Sequence, residues 1–211
     1  MNVTFCFQIR TLEANGLLLF SSSGVLDKDF LAIELSDGAV RYIFDTGNGA
    51  QTLQQSTSLS SRPINDGQWH DIGIQRTELL RQVLVVDDCI VEGSLAPESR
   101  SVHFDLNDDV YIGGVPGHMY QVLPKQVKAR DGFHGCVASV FFNGKTRNLL
   151  DQSTDIPDSV QHLIKGGCEG ICCCLFAPTI HIHVRVRYRG LRVYATHSPQ
   201  GDGWSPAESS R

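Results

Sequence analysis

The chain has 211 residues, enough for one domain of ordinary size with an appendage, and an apolar content of 41% that supports a sizeable core. Its net charge of −5 is unevenly divided: residues 171–211 hold five arginines against Asp202 and Glu208, a net of +3, so residues 1–170 carry −8. An acidic body excludes nucleic acid as a natural partner, because phosphate affinity needs clustered Lys and Arg, and it is compatible with cation binding.

In chain order the first signal is Val3-Thr4-Phe5-Cys6-Phe7-Gln8-Ile9-Arg10, which alternates apolar and polar residues as a half-buried strand does. Asn15-Gly16 turns into the short apolar run Leu17-Leu18-Leu19-Phe20, suited to a sandwich core. Two alternating runs, Phe30 to Leu35 and Val40 to Phe44, flank Asp37-Gly38, which is hairpin chemistry. The stretch from Gln51 to Arg62 holds six serines and threonines and reads as a weak strand or a loop. After the turn Asn65-Asp66-Gly67, the run Trp69 to Arg76 places Trp69, Asp71, Gly73 and Gln75 on one parity. Val83 to Asp88 and Asp109 to Gly114 add two strands, and Cys89 falls in a turn after Asp87-Asp88. Residues 115–132 form a longer loop, and Gln161 to Ile164 hints at one helical turn.

Phe133 to Gly144 shows two nearly apolar faces, Phe133, Val137 and Phe141 against Cys136, Ala138, Val140 and Phe142, as expected of a core strand buried on both sides. It ends in Asn143-Gly144, a strong two-residue hairpin signal. Strands at this spacing, with no long helical pattern before residue 170, predict an all-β sandwich or barrel and exclude the doubly wound nucleotide-binding folds. Seven cysteines without a CxxC pair argue against a zinc ribbon or a thioredoxin-like site. Residues 1–30 lack the features of a signal peptide, and no apolar run approaches the roughly 20 residues of a membrane span. A secreted origin would therefore make this chain a fragment.

Leu12 to Phe20, Asp29 to Gly38, Asn65-Asp66-Gly67-Gln68-Trp69-His70, Val110 to Gly114 and Gly132-Phe133-His134-Gly135-Cys136 together resemble a laminin G-like (LNS) domain. Phe44 to Ala50, Leu123-Pro124-Lys125, Gly135 to Val140 and Gly167-Cys168-Glu169-Gly170 extend the resemblance to the fourth such domain of the alpha-neurexins. The EGF-like cysteine spacing expected next is missing, so the resemblance covers residues 1–170 and leaves 171–211 as an atypical basic tail, expected to be disordered. The family fold is a jelly-roll-like sandwich of two antiparallel sheets. The resemblance implies a non-enzymatic adhesion module at the synaptic cell surface, part of a larger membrane protein, binding an extracellular or cell-surface protein.

It also implies a rim site for Ca²⁺ built from Asp29, Asp105 and the backbone carbonyls of Thr46 and His103. Hard oxygen donors suit that ion, and so few protein ligands imply weak affinity completed by water. The bland alternative is that both aspartates are solvated loop acids. A Cys136–Cys168 disulfide is implied in the same way, stabilising by on the order of 3 kcal/mol; two free thiols are the alternative. Cys6 and Cys89 are expected to be unpaired.

Glycan binding at a calcium rim is the rival function, with Tyr120 and Phe104 the few aromatic residues available to it. No Gly-x-Ser-x-Gly or HExxH motif supports a hydrolase, and His70 reads as structural. In the tail, Ile180 to Arg189 alternates strictly and taken alone is a basic strand, whereas Cys172-Cys173-Cys174 has poor geometry for a metal.

Overall fold

Short alternating runs closed by turn residues become antiparallel strands, and the structure, a computed structural model, arranges them as two facing sheets. It describes residues 3–24, 29–56, 63–76, 81–95, 106, 110–143, 145–146, 180–187 and 190–197. The strands are β1 (Val3–Arg10), β2 (Gly16–Ser22), β3 (Phe30–Ser36), β4 (Ala39–Asp45), β5 (Gln51–Gln54), β6 (His70–Arg76) and β7 (Arg81–Val86), followed by β8 (Cys89–Ser94), β9 (Val110–Ile112), β10 (Cys136–Phe142), β11 (Lys145–Thr146), β12 (Ile180–Arg187) and β13 (Gly190–His197). One sheet has the order β11-β10-β1-β6-β7-β8 and the other β13-β12-β9-β2-β3-β4-β5. Among the described residues the single helical element is a 3₁₀ turn, Gly117–Met119.

Between the sheets, Phe5, Phe7 and Ile9 of β1 and Ile72 and Ile74 of β6 meet Leu31, Ile33 and Leu35 of β3 and Tyr42 and Phe44 of β4. A second cluster lies on the outer face of the other sheet, where Leu17, Phe20, Ala32 and Ile43 are covered by Val115, Leu123, Val127 and Ala129 of the loop after β9. Both parities of β2 and β3 are therefore buried. Each large apolar side chain so enclosed contributes about 1.5–3 kcal/mol.

The covering loop is held by one charge. Glu34 on β3 is fully buried, accepts the amides of Lys128 and Ala129 at 2.8 Å each, and pairs with Arg41 opposite it on β4. The Asp37-Gly38 signal is a two-residue hairpin turn with φ of 54° and 75°, joining the paired Ser36 and Ala39.

Two expectations change. β10 is not buried on both faces: Ser139 is exposed and Val137, Ala138, Phe141 and Phe142 are half-buried. The cause is a bulge. Cys6 pairs with Phe141 and Gln8 with Ala138, so β10 holds one extra residue, and Ser139 takes a φ of 53°. The parity reverses across it, so Val137, Val140 and Phe142 pack against the core together. Second, Cys89 is not in a turn but opens β8, whose Glu, Gly and Ser residues hide it as a strand.

In the tail the alternating stretch forms β12, which pairs with β13 and meets β9 at Val186 and Val110. β-branched residues at alternate positions of β12 favour that conformation. The rest of residues 171–211 lies outside the described residues, as does Gln161 to Ile164.

Candidate functional site

Strand direction sorts the polar residues into two ends. Asp29 precedes β3, and Phe30 pairs with Asp45, the last residue of β4, so Asp29 and Thr46 flank one register position at one end of the sandwich. β6 ends at the same level of the facing sheet with Arg76. The turns at 37–38, 65–67 and 87–88 gather at the opposite end.

The turn after β4 is fixed locally. Asp45 Oδ1 accepts the amides of Gly47 at 2.8 Å and Gly49 at 3.0 Å, the usual way an aspartate organises a turn. Asn48 Nδ2 donates to Thr46 Oγ1 at 3.0 Å and to its carbonyl at 3.4 Å. The Asp29 carboxylate reaches this turn: a Cβ on Gly47 would lie 3.5 Å from its Oδ1. Asp29 is 8% exposed and Thr46 is fully buried. An exposed, solvated loop acid, the bland alternative, does not describe Asp29.

Arg76 is the residue that sequence reasoning missed. It stands on the inward parity of β6, following Ile72 and Ile74, and is 4% exposed. Burial pushes its guanidinium below the ordinary arginine range, while the Asp29 carboxylate opposes that shift. The rim carboxylate is thus partly compensated from inside. Beyond Arg76, the buried Tyr42 hydroxyl donates to Gln82 Oε1 at 3.1 Å, and desolvation holds its phenol far above the usual value. A charged residue closing an apolar parity was the available signal.

The structure therefore brings Asp29 and Thr46 together; His103 and Asp105 lie outside the described residues. The part in view fits a hard cation in donor chemistry, with a carboxylate beside an oxygen-rich turn. Among the described residues, no three His, Cys, Asp or Glu side chains converge on a metal-sized site.

Cys136 is buried with its sulfur 3.7 Å from Arg10 Nη2, and its implied partner Cys168 lies outside the described residues. Cys6 and Cys89 hold free thiols. They sit three strand spacings apart, roughly 14 Å and beyond disulfide reach. Tyr120 packs on the outer-face cluster with its hydroxyl accepting the Val115 amide at 3.2 Å, and burial pushes its pKa up to about 12. It is not a free ring at the rim. Phe104 lies outside the described residues.

Residues 9–145 match the sequence profile of the laminin G domain. Neurexin-2 of Mus musculus is 36% identical over 166 residues, covering 78% of this chain and 9% of that protein. Neurexin 1 of Drosophila melanogaster is 35% identical over 173 residues, covering 82% and 9%. The chain thus spans about a tenth of the length of these relatives. Among solved structures, the LG1-3 region of the laminin alpha2 chain superposes with a TM-score of 0.57 over 70% of this chain and 28% of that one, at 24% identity.

Proposed function

The chain belongs to the laminin G domain family, and from that premise we propose that it is an extracellular, calcium-assisted adhesion module that binds a cell-surface protein at the rim around Asp29 and Thr46. Domains of this family are non-enzymatic binding modules, and this chain is one. Its neurexin relatives support a place outside the cell as part of a larger membrane protein; the motifs at 44–50, 123–125 and 167–170 carry the further reading as a fourth LNS domain at a synaptic surface. Among the described residues no helix is long and apolar enough to cross a membrane.

The observation that carries the reading is the Asp29 carboxylate held against the preorganised turn at 45–49. Rim loops on a rigid sandwich are where such proteins bind. In this reading Asp105 supplies a second carboxylate and Thr46 and His103 supply carbonyls, with water completing the Ca²⁺ shell. Arg76 weakens the field at Asp29, in keeping with an ion bound loosely at extracellular concentrations. At tenfold excess over its dissociation constant, Ca²⁺ stabilises by about 1.4 kcal/mol, or roughly 3–6 °C in Tm. Asp29→Ala combined with Asp105→Ala should abolish that shift, and an unmutated chain indifferent to Ca²⁺ would remove the ion from the account.

A Cys136–Cys168 bridge closes the domain in the same reading, in keeping with an oxidising compartment. Glycan binding is the competing reading, disfavoured by the engaged Tyr120. A glycan array and a pull-down of cell-surface proteins, each with and without Ca²⁺, separate the two.

A further inference from the structure

At the end of the sandwich remote from Asp29, His70 opens β6 and is 4% exposed. Its ring lies between two carboxylates from different turns. Nδ1 is 2.8 Å from Asp87 Oδ2, in the turn joining β7 and β8, and Nε2 is 3.0 Å from Asp66 Oδ1, in the turn at 63–69. A carboxylate only accepts, and a neutral imidazole has a single N–H, so both bonds exist together only when the ring carries two protons. We propose that His70 is a protonation-dependent latch that ties the turn at 63–69 to the β7–β8 turn.

The groups facing the ring define the latch. Asp66 comes from one turn and Asp87 from the other, and β1 brings the apolar Ile9 opposite His70. Burial alone would depress the ring's affinity for a proton, but the two carboxylates outweigh it and the pKa is raised. A raised folded-state value gives stability that is fully present below the ordinary histidine pKa, about 6.5, and is lost as pH rises through the folded value.

When the ring is neutral, one of the two bonds must fail. Asp87 is tied directly to β6, its Oδ1 accepting the Asp71 amide at 2.8 Å and its own amide donating to the Asp71 carbonyl at 2.8 Å, whereas Asp66 Oδ1 accepts the Gln68 amide at 2.7 Å, a bond within its own turn. The remaining N–H therefore stays with Asp87, and the bare Nε2 faces the Asp66 oxygen, lone pair against lone pair. The turn at 63–69 is then left to tethers that include Gly67 N to the Thr11 carbonyl at 3.0 Å, Ile64 N to the Gly38 carbonyl at 3.2 Å and Asn65 Nδ2 to the Leu12 carbonyl at 3.5 Å. That turn leads into Trp69, 39% exposed beneath the Arg10 guanidinium, and Gly67 packs against Leu12, 54% exposed. Rising pH thus loosens the segment that shapes this apolar surface, and acidification tightens it. The latch is independent of the rim and of any ion there.

Ring-nitrogen NMR on the full chain, with His70 assigned by difference from His70→Gln, tests the latch without requiring a variant to titrate. Both ring nitrogens should read as protonated below the transition, and the titration should fall above the ordinary histidine value. The protection factor of the Gly67 amide should drop across the same transition, by about tenfold for each unit of elevation. Asp66→Asn should lower the titration point and flatten the fall in Tm with pH. A His70 that titrates at or below the ordinary value, or Gly67 protection that ignores the transition, would overturn the proposal.

Discussion

Glu34 shows how much one residue can hold at the rim's supporting sheet. Its carboxylate answers Arg41 and two loop amides in a site closed to water. Glu34→Ala leaves a buried guanidinium and two buried amides unmatched, a loss on the order of 3–5 kcal/mol. A chemical-denaturation midpoint that hardly moves would show that the loop is held by its apolar contacts instead. Sequence marked Glu34 only as the polar break in an alternating strand, because nothing local announces a partner 94 and 95 residues away. Asp29 was legible through the family motif, whereas Arg76 offered only a charge closing an apolar parity, and its nearness to Asp29 is a tertiary fact.

Elements were read well where turn chemistry fixed their ends. The hairpin at Asp37-Gly38 and the return from Phe142 to Lys145 follow from two dipeptides. β10 was misread because a period of two cannot register an inserted residue, and Ser139 at positive φ is the insertion. Just before it, Gly135 has a φ of 153°, and a Cβ there would stand 2.4 Å from the Arg10 carbonyl oxygen. Gly135→Ala must therefore push β10 away from β1, costing on the order of 1–3 kcal/mol. Thermal melting of that variant alongside Gly117→Ala, where a Cβ meets nothing within 4 Å, isolates the effect. Equal losses in the two variants would contradict the close approach.

At the scale of the molecule, the sandwich places its two polar ends apart, one built around Asp29 and Thr46 and the other around His70. Fold class was legible because strand spacing and the lack of long helical periodicity leave few alternatives. The site was half legible, since its chemistry depends on loops that sequence can locate but not shape. If Cys136 and Cys168 close the domain, reduction should lower Tm by roughly 6–12 °C, the equivalent of about 3 kcal/mol, and Cys136→Ser should remove the sensitivity. The central claim is that the Asp29 end is the binding end. Capture of cell-surface protein by the full chain, compared with Asp29→Ala and with Gln68→Ala at the opposite end, tests it most directly. The account predicts Ca²⁺-dependent capture that Asp29→Ala abolishes and Gln68→Ala leaves intact; undiminished capture by Asp29→Ala would contradict it.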